Sequence, residues 1–320
     1  MKYLIQKLAT IIFIILLFFT NCTPKNDNVL KVGYIPIAEC LQLYVAKDMG
    51  YFEEEGLIVE LYSASGGPYI MNDLLSGAID VGFSNVVSLI KQNDIGNPMR
   101  SAFGATYESE NHQNHAIFVR KDSGIDDYKD LESKRISINA PKNIEELMLR
   151  KFLLENGIED SSFNILPFPQ MLPMLDAGNL DAVCIVEPFI KIAKSDTNNK
   201  KYLVNQYLAG SQSDKVLVAT YAALNGVIEE KQGNFEKFVT AMTRATDFIE
   251  NHKRDAVDII LKYTKIPEEI VQQIGLSEFD DKVDPEKLDE IIALMKQPQM
   301  NFLKRNDGIE AENLVWQAKK

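Results

Sequence analysis

Cysteine, histidine and tryptophan are scarce in this chain, with three Cys, three His and one Trp among 320 residues. So few thiols and imidazoles exclude a disulfide scaffold and a zinc-ribbon array. Positive charge is also short: 34 Lys and Arg stand against 46 Asp and Glu, a net charge of -12. That sign repels a phosphate backbone and no basic patch interrupts it, so nucleic acid is not an expected partner. No G-x-S-x-G elbow, no P-loop and no H-E-x-x-H pair occurs, which removes familiar signatures of hydrolases, nucleotide enzymes and zinc proteases. After residue 20 no apolar run approaches the roughly 18 residues of a membrane span.

What is present begins with a leader. Lys2 and Lys7 precede an apolar run over 8–19, broken only by Thr10, and Thr20, Asn21 and Cys22 follow. About a dozen residues rise roughly 18 Å, short of a hydrocarbon core of about 30 Å, so the pattern is an export signal over 1–21. Phe19-Thr20-Asn21-Cys22 resembles a bacterial lipoprotein signal, which implies lipidation of Cys22. The other reading is a plain secretory signal with an incidental Cys. Residues 22–29 read as a polar tether, and the expected location is extracytoplasmic in both cases.

The body of the chain carries ordinary globular composition, 46% hydrophobic and 25% charged. Strand patterns over 30–35, 58–62 and 79–83 alternate with helical patterns over 40–52 and 69–76. The same order recurs with strands at 135–139, 163–166 and 181–186 and a helix over 144–155. Leu74, Gly77 and Asp80 are spaced as Leu175, Gly178 and Asp181, each pair of positions 101 residues apart. Gly is suited to a left-handed helix end, and Asp then stands at the entrance of a buried strand. We therefore expect an α/β protein of two similarly built lobes, each a mostly parallel sheet with helices on both faces. Lobe 1 is expected over 30–115 and 221–320, with lobe 2 inserted as 116–220. Runs 116–120 and 215–220 read as the two crossovers. From 229 onward helices are expected over 234–251, 254–263, 268–274, 285–296 and 306–319.

Val32-Gly33-Tyr34-Ile35-Pro36, the stretch from Tyr44 to Leu57, Ser65-Gly66-Gly67, Gly77-Ala78-Ile79-Asp80-Val81-Gly82-Phe83 and Val186-Glu187-Pro188-Phe189 together resemble the substrate-binding proteins of ABC importers. The resemblance is to the nitrate, sulfonate, taurine and thiamine-pyrimidine class. It implies a two-lobed periplasmic-binding-protein-like fold (type II), no catalysis, no cofactor, a small-molecule ligand in a cleft between lobes, a membrane permease as partner and a monomeric receptor. Two readings of other classes are a pyrimidine-synthase-like enzyme, whose Cys-rich motif is absent, and a surface adhesion lipoprotein.

In open α/β sheets ligands bind outside the carboxyl ends of the strands. That topology selects Ile37 and Glu39 after the first strand, Ser84 and Asn85 after the third, Thr106 and Tyr107 after the next, Asn139 and Asn143 at the opening of lobe 2, and Glu187 after its third strand. Ser65, Gly66 and Gly67 lie between strand and helix, where free N–H groups suit a polar or anionic group. Ser84, Asn85 and Asn143 are also good helix caps. Glu39 and Glu187 select amino, ring N–H or hydroxyl groups, and no Arg or Lys stands at a lobe 1 strand end, although Lys142 offers a charge in lobe 2. Tyr34, Tyr62, Tyr69, Tyr107 and Phe189 are candidates to stack on a flat ring. The expected ligand is a thiamine-pyrimidine precursor or similar heteroaromatic, with an organosulfonate, taurine or nitrate-type anion as the alternative. His112 and His115 fall in a polar run read as a loop, and no metal site is expected there. Cys40 and Cys184 read as buried thiols in different lobes.

Overall fold

Continuous apolar strands and a repeated helix stop are enough to assemble two sheets. In the computed structural model, residues 28–159, 162–196, 199–204, 215–305 and 308–317 are described. The leader, Cys22 and most of the tether lie outside them. No helix among the described residues is long and apolar enough to cross a membrane.

Strands are β1 (Val29–Tyr34), β2 (Ile58–Ser63), β3 (Val81–Asn85), β4 (Met99–Glu108), β5 (His115–Arg120), β6 (Arg135–Ile138), β7 (Ser162–Ile165), β8 (Ala182–Val186), β9 (Lys200–Val204), β10 (Val216–Leu224) and β11 (Glu278–Phe279). They form a six-stranded sheet ordered β11-β4-β10-β3-β1-β2 and a five-stranded sheet ordered β7-β6-β8-β5-β9. In each, a parallel trio (β2-β1-β3 and β7-β6-β8) is flanked by an antiparallel strand, β10 or β5. The sheets are therefore mixed, not mostly parallel as expected. The strand that follows each passage of the chain between sheets arrives running against the trio. Both central strands β3 and β8 are buried along their whole length, which is why Val81-Gly82-Phe83 and Ala182-Val183-Cys184-Ile185-Val186 read as unbroken apolar runs. Cys40 and Cys184 are free and buried.

The repeated Leu-x-x-Gly-x-x-Asp does one job twice. Gly77 and Gly178 both adopt φ 73°, ending their helices in the left-handed region. Asp80 Oδ2 then accepts from Lys31 N at 2.8 Å, and Asp181 Oδ2 accepts from Arg135 N at 2.8 Å. Each carboxylate pins the start of the neighbouring strand.

Three expectations are corrected. The helix over 40–52 is two, Leu41–Asp48 and Tyr51–Glu54, because Gly50 between them turns left-handed at φ 75°. The crossover at 215–220 is not in lobe 2: Val216–Thr220 is part of β10, which pairs with β3 and β4 along the first sheet. The helix over 306–319 is replaced, among the described residues, by a short turn at Ala311–Leu314. Val315 instead bridges Ser101, and Trp316 N donates to the Ser101 carbonyl at 2.8 Å, so pairing to a sheet strand outweighs local helix propensity. The preceding C-terminal helices pack on the first sheet's side. Gln232–Asn251 lies against Leu41–Asp48, with Phe52 stacked on Phe238 at 5.6 Å and buried Gln42 Nε2 donating to Thr246 at 2.8 Å.

Candidate functional site

The carboxyl ends of β1, β3 and β4 meet those of β6 and β8. Between them is a cavity of about 30 Å³ lined by Ile37, Glu39, Gly67, Asn85, His115, Asn139, Asn143, Glu145 and apolar neighbours including Phe83 and Phe168. Backbone and side-chain bonds cross the boundary around it. Ala38 N donates to the Glu187 carbonyl at 3.1 Å, Gly275 N donates to Glu187 Oε1 at 3.2 Å, and Lys91 Nζ donates to the Lys142 carbonyl at 3.1 Å. Lys142 itself has φ 53°; its Nζ donates to the carbonyl of Asn301, whose φ is 51°, at 3.0 Å and lies 4.5 Å from the Phe302 ring centroid. The two halves of the molecule are closed on one another.

From the first sheet, Ile37 opens the short turn Ala38–Cys40 and sends Glu39 into the cavity. Thr106 Oγ1 donates to Glu39 Oε1 at 3.5 Å. Gly67 begins the helix Gly67–Ser76; a Cβ there would stand 2.3 Å from Asn85 Nδ2 and 2.5 Å from Ser84 Oγ, so the loop needs Gly to lie against the end of β3. A Cβ on Gly66 would stand 3.3 Å from Asn139 Nδ2, across the lobe boundary. Asn85 caps the helix Val86–Asp94 by accepting from Ser88 N at 2.9 Å, whereas the Ser84 hydroxyl is buried without a partner. From the second sheet, Asn143 caps Ile144–Glu155 by accepting from Glu146 N at 3.0 Å, and its Nδ2 donates to Asn139 Oδ1 at 2.7 Å. Asn139 N donates to Glu145 Oε2 at 3.0 Å.

Other candidates stand differently. Tyr107 does not reach the cavity: adjacent strand residues point to opposite faces, so with Thr106 facing inward the Tyr107 hydroxyl donates to the Lys282 carbonyl at 3.2 Å and accepts from Asp284 N at 3.0 Å. Glu187 is at the boundary, but backbone N–H groups hold both its oxygens, Lys191 N at 3.0 Å as well as Gly275 N. It fastens the halves together. Ser65 lines a separate apolar cavity of about 220 Å³ together with Pro36, Pro167, Phe168, Pro169 and Phe189. Of the rings offered for stacking, Tyr62 and Tyr69 are exposed and Tyr34 packs edge-on against Tyr44 at 5.8 Å; Phe189 alone of the five lines either cavity.

The sequence reading misses Glu108, His115 and Glu145. His112 and His115 do not share a helix face, since His112 is 41% exposed and His115 only 4%. His115 opens β5 and pairs its Nδ1 with Glu108 Oε1, and Asn114 N donates to the same oxygen at 3.0 Å. Burial alone pushes the imidazole down, but Glu108, with Glu39 and Glu145, outweighs it and raises His115 to about 9. Burial raises the Glu39 carboxyl to about 7, with Glu108 adding to the effect and His115 opposing it. Glu187 is likewise raised to about 7 by burial, against the pull of the Gly275 and Lys191 N–H groups. Ligand atoms of Glu39, Glu108 and His115 lie within 4.8 Å of one another, a spacing that suits a small cation. Their types, carboxylate and imidazole, fit a borderline divalent metal as well as an organic cation.

Comparison with known proteins places this geometry. Over 312 residues the chain is 24% identical to the nitrate import ATP-binding protein NrtC of Synechocystis, covering 88% of this chain and 44% of that protein, so it spans less than half the length of that relative. It is 22% identical over 259 residues to the putative binding protein YtlA of Bacillus subtilis, covering 77% of this chain and 75% of YtlA. The alkanesulfonate-binding protein SsuA of Xanthomonas axonopodis superposes with a TM-score of 0.75 at 15% identity, covering 90% of this chain and 98% of SsuA. Such a likeness shows the fold, which is the periplasmic-binding-protein arrangement of two α/β lobes. The family model NMT1/THI5 like matches residues 38–256, and the chain belongs to the NMT1/THI5-like family.

Proposed function

We propose that the protein is the extracytoplasmic solute-binding component of an ABC importer, a monomer anchored through lipid on Cys22 that closes on a small organic nutrient and delivers it to a membrane permease. The observation that carries this reading is the buried polar cavity between the carboxyl ends of the two sheets, walled by Glu39 and Gly67 from one half and Asn139, Asn143 and Glu145 from the other. A ligand held by both halves prefers the closed state, and that differential affinity is all a capture cycle requires. No step of bond making belongs to this role. The carboxylates favour a neutral or basic heteroaromatic such as a thiamine-pyrimidine precursor over an anion, because an anion buried beside Glu39 and Glu145 would meet like charge.

A second reading keeps the receptor and changes the solute. A sulfonate or nitrate is favoured by the Ser65-Gly66-Gly67 loop, which opens the ten-residue helix Gly67–Ser76, and by the names of the relatives. A thermal-shift panel on residues 23–320 separates the two: pyrimidines and related heteroaromatics against alkanesulfonates, taurine and nitrate. Ligand at 100 times its Kd adds about 2.7 kcal/mol. A heteroaromatic hit supports the favoured solute, a sulfonate hit replaces it, and silence across the panel counts against the receptor.

A further inference from the structure

The polar cavity does not end blindly. It shares Ile35, Ile37 and Phe168 with the apolar cavity, so the two chambers adjoin along one wall. Their sizes and chemistry differ sharply. The polar chamber, about 30 Å³, is the smaller of the two and takes only a compact group. The apolar chamber, about 220 Å³, exceeds the roughly 150 Å³ of a cavity that holds benzene. Its walls are flat: Pro36, Pro167 and Pro169, with Phe168 and Phe189 stacked at 5.9 Å and 23°. Its polar lining is limited to Ser63 and Ser65.

We propose that the apolar chamber is a second subsite and that the solute is an amphipathic cation, with a compact amine or amidine head between Glu39 and Glu145 and one flat ring between the prolines and Phe168/Phe189. This rests on the solute-receptor reading. Charge balance supports the head. Glu39, Glu108 and Glu145 are all buried, three carboxyls around the single imidazole of His115, whose Nδ1 pairs with Glu108. Burying further negative charge there costs desolvation with no return, whereas a cation redresses the balance in a low-dielectric setting. Volume supports the tail, because a head that fills the polar chamber leaves any ring in the neighbouring one. Phe189 and the two prolines Pro167 and Pro169 come from the second sheet's side while Ile35 and Pro36 come from the first, so a ring placed there is gripped by both halves.

Four probes test this by calorimetry on the full mature chain: benzamidinium (head and ring), guanidinium (head alone), benzoate (ring with reversed charge) and benzyl alcohol (ring without charge). Expected is binding of benzamidinium tighter than guanidinium, with benzoate and benzyl alcohol weaker than both. Glu39→Gln should weaken benzamidinium at least about tenfold, the loss of one hydrogen bond to a charged group. Phe189→Ala should weaken benzamidinium and leave guanidinium within about twofold; Phe168→Ala is the second variant, with circular dichroism confirming its fold. Benzoate binding as tightly as benzamidinium overturns the inference, as does an equal effect of Phe189→Ala on both cations. If no probe binds while a panel anion does, the inference falls and the receptor stands. If neither probes nor panel bind, both fall.

Discussion

The two sheets share the same β-α-β-α-β unit, but they complete it from different sources. In the second, Arg135 provides everything Asp181 needs: its backbone N–H at 2.8 Å and its guanidinium, whose Nε and Nη2 lie 2.9 and 2.8 Å from the carboxylate. In the first, Asp80 receives the Lys31 N–H, and its cation is Lys231 at 2.7 Å, from 151 residues further along the chain. The sheets themselves repeat the contrast. All strands of β7-β6-β8-β5-β9 lie between His115 and Val204, whereas β10 sits in the middle of the first sheet and returns from the far side of the second. One lobe is closed in sequence; the other is finished only when the C-terminal region arrives.

The largest effect follows directly. A fragment of 113–204 should show a cooperative urea transition, while 28–110, lacking the strand between β3 and β4, should show none; a cooperative transition in the latter would erase the contrast. Next in size, Asp80→Asn should cost about 1–3 kcal/mol and Asp181→Asn about 0.5–1, because the first is the more buried pair and the second is held by a half-exposed Arg. Equal costs from urea midpoints would mean that the local cation is as effective as the distant one.

A third test uses pH, and its sign is set by three groups at the junction of the lobes. Glu39 and Glu187 keep protons to about 7 in the folded chain against an ordinary 4.5, and His115 to about 9 against an ordinary 6.5. In each window the native state binds more protons than the unfolded one, so stability falls as pH rises, from 4.5 to 7 for the carboxyls and from 6.5 to 9 for the imidazole. Urea midpoints of the ligand-free protein should therefore be higher at about pH 6 than at about pH 8. Glu39→Gln should flatten the lower part of that slope. Stabilisation by a fixed-charge cation should run the other way, growing as Glu39, facing His115, Glu108, Asn114 and Thr106, loses its proton. Comparable in size to Asp181→Asn, Gly77→Ala and Gly178→Ala should each cost about 1 kcal/mol, since both need the left-handed region. A difference beyond a few tenths in thermal melts would show that the two helix stops are not equivalent.

What can be read in the sequence is whatever repeats or is locally dictated. The Leu-x-x-Gly-x-x-Asp recurrence, the buried strands and the cap positions Asn85 and Asn143 need no long-range information. Glu39, Gly67 and Asn139 follow from one topological rule about strand ends. Tyr107 fails because alternation fixes that Thr106 and Tyr107 face opposite ways without fixing which faces inward. Glu187 falls at the right border, but nothing local reveals that Gly275, 88 residues on, will occupy its oxygen. His115 reads as a loop residue because its polar approach hides the strand that it opens. Val315 and Trp316 join a strand more than 200 residues earlier, a partner that no helical window can sense.

Lys142 and Asn301 carry the remaining lesson. A non-glycine residue held left-handed costs on the order of 1–3 kcal/mol and persists only where its surroundings insist on it. Here each residue's surroundings include the other, together with Lys91 and Phe302. Contacts between the two halves thus help to hold two main-chain torsions, and the closed arrangement is written into the backbone at Lys142 and Asn301 as well as into the side chains that line the cavity.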